Sequence, residues 1–105
     1  GKDMGDRVSI SFKKGALESI ALFDHWGGMK RVEEAQEYVR ELKAEVGNRT
    51  GLPLDRPEPG TVMVDFIRHI TKSKKRVNSG LYVGAMSDPM YGDNSDNGHH
   101  VISLD

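Results

Sequence analysis

The apolar run that decides this fold reads Ile20-Ala21-Leu22-Phe23-Asp24-His25-Trp26-Gly27-Gly28. Its first half is apolar on both faces of an extended chain, which favours an interior strand or one covered on both sides. We therefore predict a strand over residues 19–26. Upstream, residues 7–12 alternate between apolar and polar side chains, which predicts a half-buried strand with Ser9 and Ser11 on the polar face. The polar turn of about six residues between these strands predicts an antiparallel hairpin.

Downstream of this run the hydrophobic period lengthens to that of a helix. Apolar residues recur at steps of three and four from position 29 to position 46, and Gly47-Asn48 is a stop signal. A second helix is predicted over residues 61–72, after a loop at 48–60 that contains three prolines. Strands are predicted over 80–85 and 99–104, on either side of a polar loop at 87–98. The predicted fold class is α+β in the order ββααββ, a four-stranded antiparallel sheet with two helices packed on one face, in a single domain spanning residues 1–105.

Composition narrows the classes of function. The 105 residues contain no cysteine, which removes disulfides, thiolate metal sites and cysteine nucleophiles and leads us to expect a cytoplasmic location. Fifteen basic and sixteen acidic residues leave a formal net charge of −1, so nucleic acid is not an expected partner. No apolar run is long enough to cross a membrane. A thin core and a strand with two apolar faces predict a homodimer, formed through a sheet edge or the exposed sheet face.

The first candidate site is the corner formed by Asp24, His25, Trp26, Gly27 and Gly28. A histidine can act as a general base or a metal ligand, a tryptophan offers a stacking face, and glycines let a ligand approach the backbone at a helix start. The alternative is structural, with Trp26 buried as a core anchor, His25 hydrogen-bonded to the backbone, and the glycines forming a turn. Strand alternation places Asp24 and Trp26 on one face and His25 on the other, which favours the structural interpretation.

The second candidate site is the polar loop before the last strand. Four side chains there are candidate metal ligands: Asp93, Asp96, Asn97 and His99. The segment resembles the first half of a helical calcium-binding loop, but Leu104 stands where the closing glutamate is required. A zinc site would combine about three protein ligands drawn from this loop and His25. The alternative is a solvated turn, since Asp, Asn, Ser and Gly are also common turn residues. No particular cofactor or small ligand is indicated.

Three short motifs resemble an uncharacterised group of small prokaryotic and phage-borne proteins. They are Met4-Gly5-Asp6-Arg7 before the first strand, His25-Trp26-Gly27-Gly28 after the second, and Asp96-Asn97-Gly98-His99 before the last. Members of this group tend to begin Met-Gly-Asn/Asp-Arg, carry a His-Trp-x-Gly element and end in an Asp-Asn-containing strand. The resemblance implies a shared fold and a shared corner, without implying a reaction.

Two functions fit these observations. The preferred one is a small non-enzymatic binding or interaction module that uses its loops and a sheet edge. The alternative is a small metal-assisted hydrolase or ligand-binding enzyme built on His25 and the loop from Asp93 to His99. Phosphate-binding loops, nucleophile elbows and zinc-protease helices are absent from the sequence, which favours the first. Spatial proximity of His25 to the loop is the feature that would support the second.

Overall fold

The sheet is built around strand β1 (Val8–Lys14) in this computed structural model, which describes residues 5–47, 56–86 and 93–105. The other elements are β2 (Leu17–Glu18), β3 (Ala21–Asp24), α1 (Gly28–Gly47), α2 (Pro59–Thr71), β4 (Leu81–Gly84) and β5 (His99–Ser103). The fold class is α+β, as predicted, but the described sheet has five strands and not four. The predicted loops at 48–60 and 87–98 lie partly outside the described residues.

The additional strand arises because the predicted second strand is interrupted. β2 pairs with the hairpin end of β1 and β3 pairs with its first half, both antiparallel, in registers that differ by one residue. Ser19 and Ile20 therefore form a bulge between β2 and β3. The Ser19 amide donates to the Phe12 carbonyl (2.8 Å), and the Phe12 amide donates to the Ser19 hydroxyl (3.0 Å). The bulge thus keeps its polar groups hydrogen-bonded although regular pairing is broken.

The direction of the last strand also differs from the prediction. β5 pairs with β1 in parallel, from Ser9 opposite His99 to Lys13 opposite Ser103. β4 pairs antiparallel with β3, so β5 and β4 are the outer strands and the prediction of an entirely antiparallel sheet is wrong. Hydrophobic alternation did not reveal this, because its period of two is the same in parallel and antiparallel strands.

The hydrophobic core lies on one face of the sheet, where both helices pack as predicted. β1 contributes Val8, Ile10 and Phe12 to it. The helices contribute Val32, Ala35, Tyr38, Val39, Leu42, Val62, Met63 and Phe66. Full burial of an apolar side chain of this size stabilises the fold by about 1.5–3 kcal/mol, so this cluster accounts for the position of both helices. Neither of the two described helices combines the length and apolar content needed to cross a bilayer.

The opposite face of β1 is not open to solvent. The prediction that this strand is half-buried is wrong, because Ser9 and Ser11 on its polar face have 0% of their surface exposed. Side chains of His99, Glu18 and Asn94 hydrogen-bond to the two serine hydroxyls from above. Because these side chains cover the two serines, the polar face of β1 is a buried hydrogen-bonded layer.

Candidate functional site

Trp26 lies on the surface, with 54% of its area exposed. β3 ends at Asp24, two residues before the predicted end, so strand alternation does not extend to the tryptophan. The Asp24 carboxylate forms the turn: its Oδ1 accepts hydrogen bonds from the amides of Trp26 (3.1 Å) and Gly27 (2.9 Å). The other oxygen, Oδ2, accepts from Arg31 Nε (2.7 Å). The prediction that Trp26 is a buried core anchor is therefore wrong.

His25 holds the tryptophan from the other side. Its amide donates to the Gly80 carbonyl (2.9 Å) and its carbonyl accepts from the Asp6 amide (2.7 Å). The His25 and Trp26 ring centroids lie 4.5 Å apart. A Cβ atom at Gly80 would lie 3.0 Å from the Trp26 indole and 2.9 Å from the His25 Cβ, so the loop before β4 also packs closely against both residues. Trp26 is thus exposed on one side and supported by backbone and ring contacts on the other.

The two glycines make room for carboxylates of the protein itself. A Cβ atom at Gly27 would fall far inside van der Waals contact with Asp24, and one at Gly28 would do the same with Asp6. Gly28 also has φ +58°, a left-handed conformation that favours glycine. Helix N-termini attract anions, and the start of α1 lies beside these two carboxylates. The glycines were predicted to let a ligand approach the backbone at the helix start, but the Asp6 and Asp24 carboxylates occupy that space.

The polar loop is joined to this corner through the residues just before β1. Asn97 Nδ2 donates to Asp6 Oδ1 (2.7 Å), and the Asp6 carbonyl accepts from the Gly28 amide (2.8 Å). Asp96 accepts from both the amide (2.9 Å) and the Nε (2.8 Å) of Arg7. These hydrogen bonds from Arg7 hold the pKa of Asp96 well below its ordinary value. The two candidate sites found separately in the sequence are thus neighbours in the fold, with Asp6 and Arg7 between them.

His99 belongs to a different environment, the buried layer on the sheet face opposite the helices. Its Nδ1 lies 2.7 Å from Ser9 Oγ and its Nε2 lies 3.0 Å from Ser11 Oγ. Ser11 donates its hydroxyl proton to Glu18 (2.6 Å), so a neutral imidazole that bonds both serines carries its proton on Nε2 and accepts from the Ser9 hydroxyl at Nδ1. Asn94 Nδ2 donates to Ser9 Oγ (2.8 Å). Burial lowers the pKa of His99, although Glu18 opposes this effect.

The candidate metal ligands do not form a set of ligands in the described residues. Asp96 and Asp93 face Arg7, Asn97 contacts Asp6, and His99 is bound to serines. Across residues 5–47, 56–86 and 93–105, no group of three or more His, Asp or Glu side chains is arranged to hold a metal ion. The serines that contact His99 have no exposed surface, so a substrate has no access to their hydroxyls. The metal-assisted hydrolase stays a prediction that no arrangement of described side chains supports.

Two clefts flank Trp26. The first, of about 220 Å³, lies between the start of α1, the end of α2 and the loop before β4. The second is a shallow depression of about 570 Å³ between the first turn of α1 and the polar loop. Exposed residues that line these clefts include Glu33 and Asn78, and we call five others the Trp26 surface: Trp26, Met29, Lys30, Lys74 and Val77. Met29 and Val77 are exposed to 44% and 54%, so the indole is part of a larger apolar area.

The accessible charge in the first cleft is positive. Asp24, the carboxylate lining this cleft, is buried and fully occupied by Arg31 and two backbone amides. Lys74 also lines the cleft, and no ion pair joins it to a carboxylate of the described residues. The exposed Lys75 and Arg76 follow directly. An approaching ligand therefore encounters an apolar indole and the Lys74 ammonium in the same cleft.

Comparison with protein-family models, with curated proteins and with solved structures found no match to this chain. The resemblance to a prokaryotic and phage-borne group is accordingly still a prediction. Sequence reasoning missed Arg31 and Lys74 as parts of the site. Asp6 carried a usable signal, since it lies in one of the three motifs on which the resemblance rests.

Proposed function

We propose that this chain is a small non-enzymatic binding module whose partner contacts the Trp26 surface. One observation carries the proposal: an exposed tryptophan, anchored through its backbone and its ring, lies between two clefts. A large exposed apolar area bordered by polar residues is typical of interaction sites. Tryptophan is also enriched among the few residues that dominate the energy of protein interfaces. The absence of cysteine supports a cytoplasmic location for such a module.

The support behind Trp26 favours binding, because it reduces the entropy lost when a partner docks. The Asp24 carboxylate and the Asp6 backbone order the main chain on both sides of the tryptophan, and Asn97 in turn holds the Asp6 carboxylate. A partner therefore meets a surface that already has its bound conformation. Such preorganisation increases affinity without adding contacts.

The chemistry of the surface favours an acidic peptide segment that carries an apolar side chain. Lys74 provides a cationic contact in the first cleft, which Trp26 also lines, and the exposed cationic residues Lys75 and Arg76 follow Lys74 in the sequence. Asp6 and Glu33 line the second cleft, and they would repel the continuous phosphate backbone of a nucleic acid. A short peptide can place one carboxylate at Lys74 and one apolar side chain on Trp26 without approaching these acidic groups.

Selection from a random peptide library displayed on phage tests the proposal, with the purified chain as bait. We expect the enriched peptides to combine aspartate or glutamate with an aromatic or aliphatic residue. Trp26 is the only tryptophan, so a shift in its emission reports contact at this surface. Anisotropy of a labelled peptide gives the dissociation constant for each variant. Trp26→Ala should weaken binding at least ~30-fold, the effect of losing a dominant interface residue, and Lys74→Glu should abolish the preference for acidic peptides.

Val64→Ala is the matched control, because Val64 is 69% exposed on α2 and lines neither cleft beside Trp26. It should leave the dissociation constant unchanged. Equal affinity of the parent and the Trp26→Ala variant would show that the partner binds elsewhere. The proposal of a peptide partner is contradicted if no peptide is selected and oligothymidylate quenches the emission of Trp26. That result would indicate single-stranded nucleic acid as the partner, since its bases stack on aromatic side chains.

A further inference from the structure

The backbone groups on the outer edge of β5 are not paired with any strand of the described residues. The Ser9 amide donates to the Gly98 carbonyl (3.1 Å) and the Leu104 amide donates to the Lys13 carbonyl (2.8 Å). Backbone groups of successive strand residues point to opposite edges, so the even-numbered residues of β5 face β1. His99, Val101 and Ser103 therefore direct their amides and carbonyls away from the sheet. Among the described residues, β5 has no strand partner other than β1.

This edge lacks the features by which proteins prevent pairing between sheets. Exposed edge strands are commonly protected by lysine, proline, inward-pointing charge or a bulge. The β5 segment, His99-His100-Val101-Ile102-Ser103, has no lysine, carboxylate or proline, and all five residues are in regular register with β1. Val101, at its centre, is 48% exposed. The other outer strand, β4, is one residue shorter and begins and ends beside Gly80 and Gly84, so it offers less pairing length.

We propose that β5 pairs antiparallel with β5 of a second copy of this chain, with Val101 on the two-fold axis. In this register Val101 lies opposite Val101 of the other copy, and His99 lies opposite Ser103. His99, Val101 and Ser103, whose amides and carbonyls point away from β1, then lie opposite the same three residues of the other copy. These three hydrogen-bonded pairs contain about six backbone hydrogen bonds. No like charges oppose each other across the pair, and the two exposed valines become neighbours. Two sheets thus join into one continuous sheet.

This dimer is independent of the proposed function. Trp26 follows β3, which is separated from β5 by β1, so pairing at β5 leaves the Trp26 surface of each copy accessible. The assembly would therefore carry two partner sites. A partner that presents two acidic segments would bind it with higher avidity than a single copy.

Sedimentation equilibrium from micromolar to millimolar concentration tests the pairing. The parent should approach twice the 11.7 kDa of one chain. Val101→Lys adds an edge charge, and Val101→Pro removes an amide that makes no hydrogen bond with the described residues; both should give the mass of one chain with unchanged circular dichroism. Val83→Lys is the matched control, because Val83 is exposed to a similar 44% on β4. It should stay dimeric.

Three results would overturn the proposal. They are a monomeric parent at millimolar concentration, a dimer that survives Val101→Pro, and dissociation by Val83→Lys. Amide exchange provides a second measurement if a Val101 variant fails to fold. In the parent, exchange of the Val101 amide should slow as concentration rises, because that hydrogen enters the intermolecular bond. Exchange that is independent of concentration in a dimeric sample would also contradict pairing at this edge.

Discussion

Replacing Gly28 by alanine tests whether the start of α1 is shaped by Asp6. Gly28 and Gly15 both have φ +58°, so an alanine at either position adopts an unfavourable left-handed conformation. Their surroundings differ. A Cβ atom at Gly15 has no atom within 4 Å, whereas one at Gly28 would overlap the Asp6 carboxylate. Gly15→Ala is therefore a control with the same backbone strain and no clash.

The expected magnitudes follow from these contacts. The left-handed conformation costs about 1–2 kcal/mol for a residue with a Cβ atom. Moving the Asp6 carboxylate away breaks its hydrogen bond from Asn97 Nδ2 (2.7 Å), and a hydrogen bond to a charged group contributes about 1.5–3 kcal/mol. Gly28→Ala should thus lower the free energy of unfolding by about 2.5–5 kcal/mol, and Gly15→Ala by about 1–2 kcal/mol. The first loss is a large share of the stability of a small domain.

Urea unfolding followed by circular dichroism gives both free energies. The same two substitutions in an Asp6→Ala background complete the comparison, since the clash at Gly28 is absent there. We expect the difference between the two alanine variants to disappear in that background. The reasoning is refuted if Gly28→Ala is no more destabilising than Gly15→Ala in the parent. It is refuted equally if the difference persists without the Asp6 carboxylate.

Three further predictions concern side chains in other parts of the fold. Trp26→Ala should lower the free energy of unfolding by less than about 1 kcal/mol because about half of the Trp26 side chain is exposed. Phe66→Ala, in the core, should lower it by about 3–5 kcal/mol. If the Trp26→Ala variant melts at the same temperature as the Phe66→Ala variant, the exposed position of Trp26 is contradicted. Burial lowers the pKa of His99 in the folded chain, so below the ordinary histidine pKa of about 6.5 the unfolded chain binds more protons than the folded chain. The free energy of unfolding should therefore fall as the pH drops from about 6.5 towards the pKa of folded His99. Urea unfolding of His99→Gln should show a smaller fall over this pH range than urea unfolding of the parent. Tyr38→Phe removes the hydrogen bond to Asp65 (2.7 Å) and should cost about 1 kcal/mol by thermal unfolding, and an unchanged melting temperature would show that solvent replaces the bond.

Local periodicity was sufficient to predict most elements. The helical stripe after residue 28 and the apolar side of residues 61–72 both identify core residues, since side-chain spacing along a helix determines which residues share a face; Met29, the first residue of the stripe, is instead 44% exposed. The alternation in β1 likewise identifies Val8, Ile10 and Phe12 as core residues. It was misleading for Ser9 and Ser11, because burial of a polar strand face depends on side chains that arrive from other parts of the chain.

The candidate site was predictable in its parts but not in its arrangement. Residues 24–28 and the loop before β5 both contain unusual concentrations of polar and aromatic groups. The contact between them passes through Asp6–Asn97 and Arg7–Asp96, whose members are 91 and 89 residues apart. Parallel pairing of β5 with β1 creates these contacts, and strand direction has no signature in a period-two pattern.

The sequence by itself determined the α+β class, the positions of two amphipathic helices and the apolar face of the central strand, because each depends on spacing between near neighbours. Only the tertiary structure decided that Trp26 is exposed, that Asp6 fills the space beside Gly28, and that His99 is half-buried against two serines. Each of these outcomes depends on which distant segment occupies a given volume. Near-neighbour spacing does not encode that choice, since it is made by the pairing of strands from opposite ends of the chain.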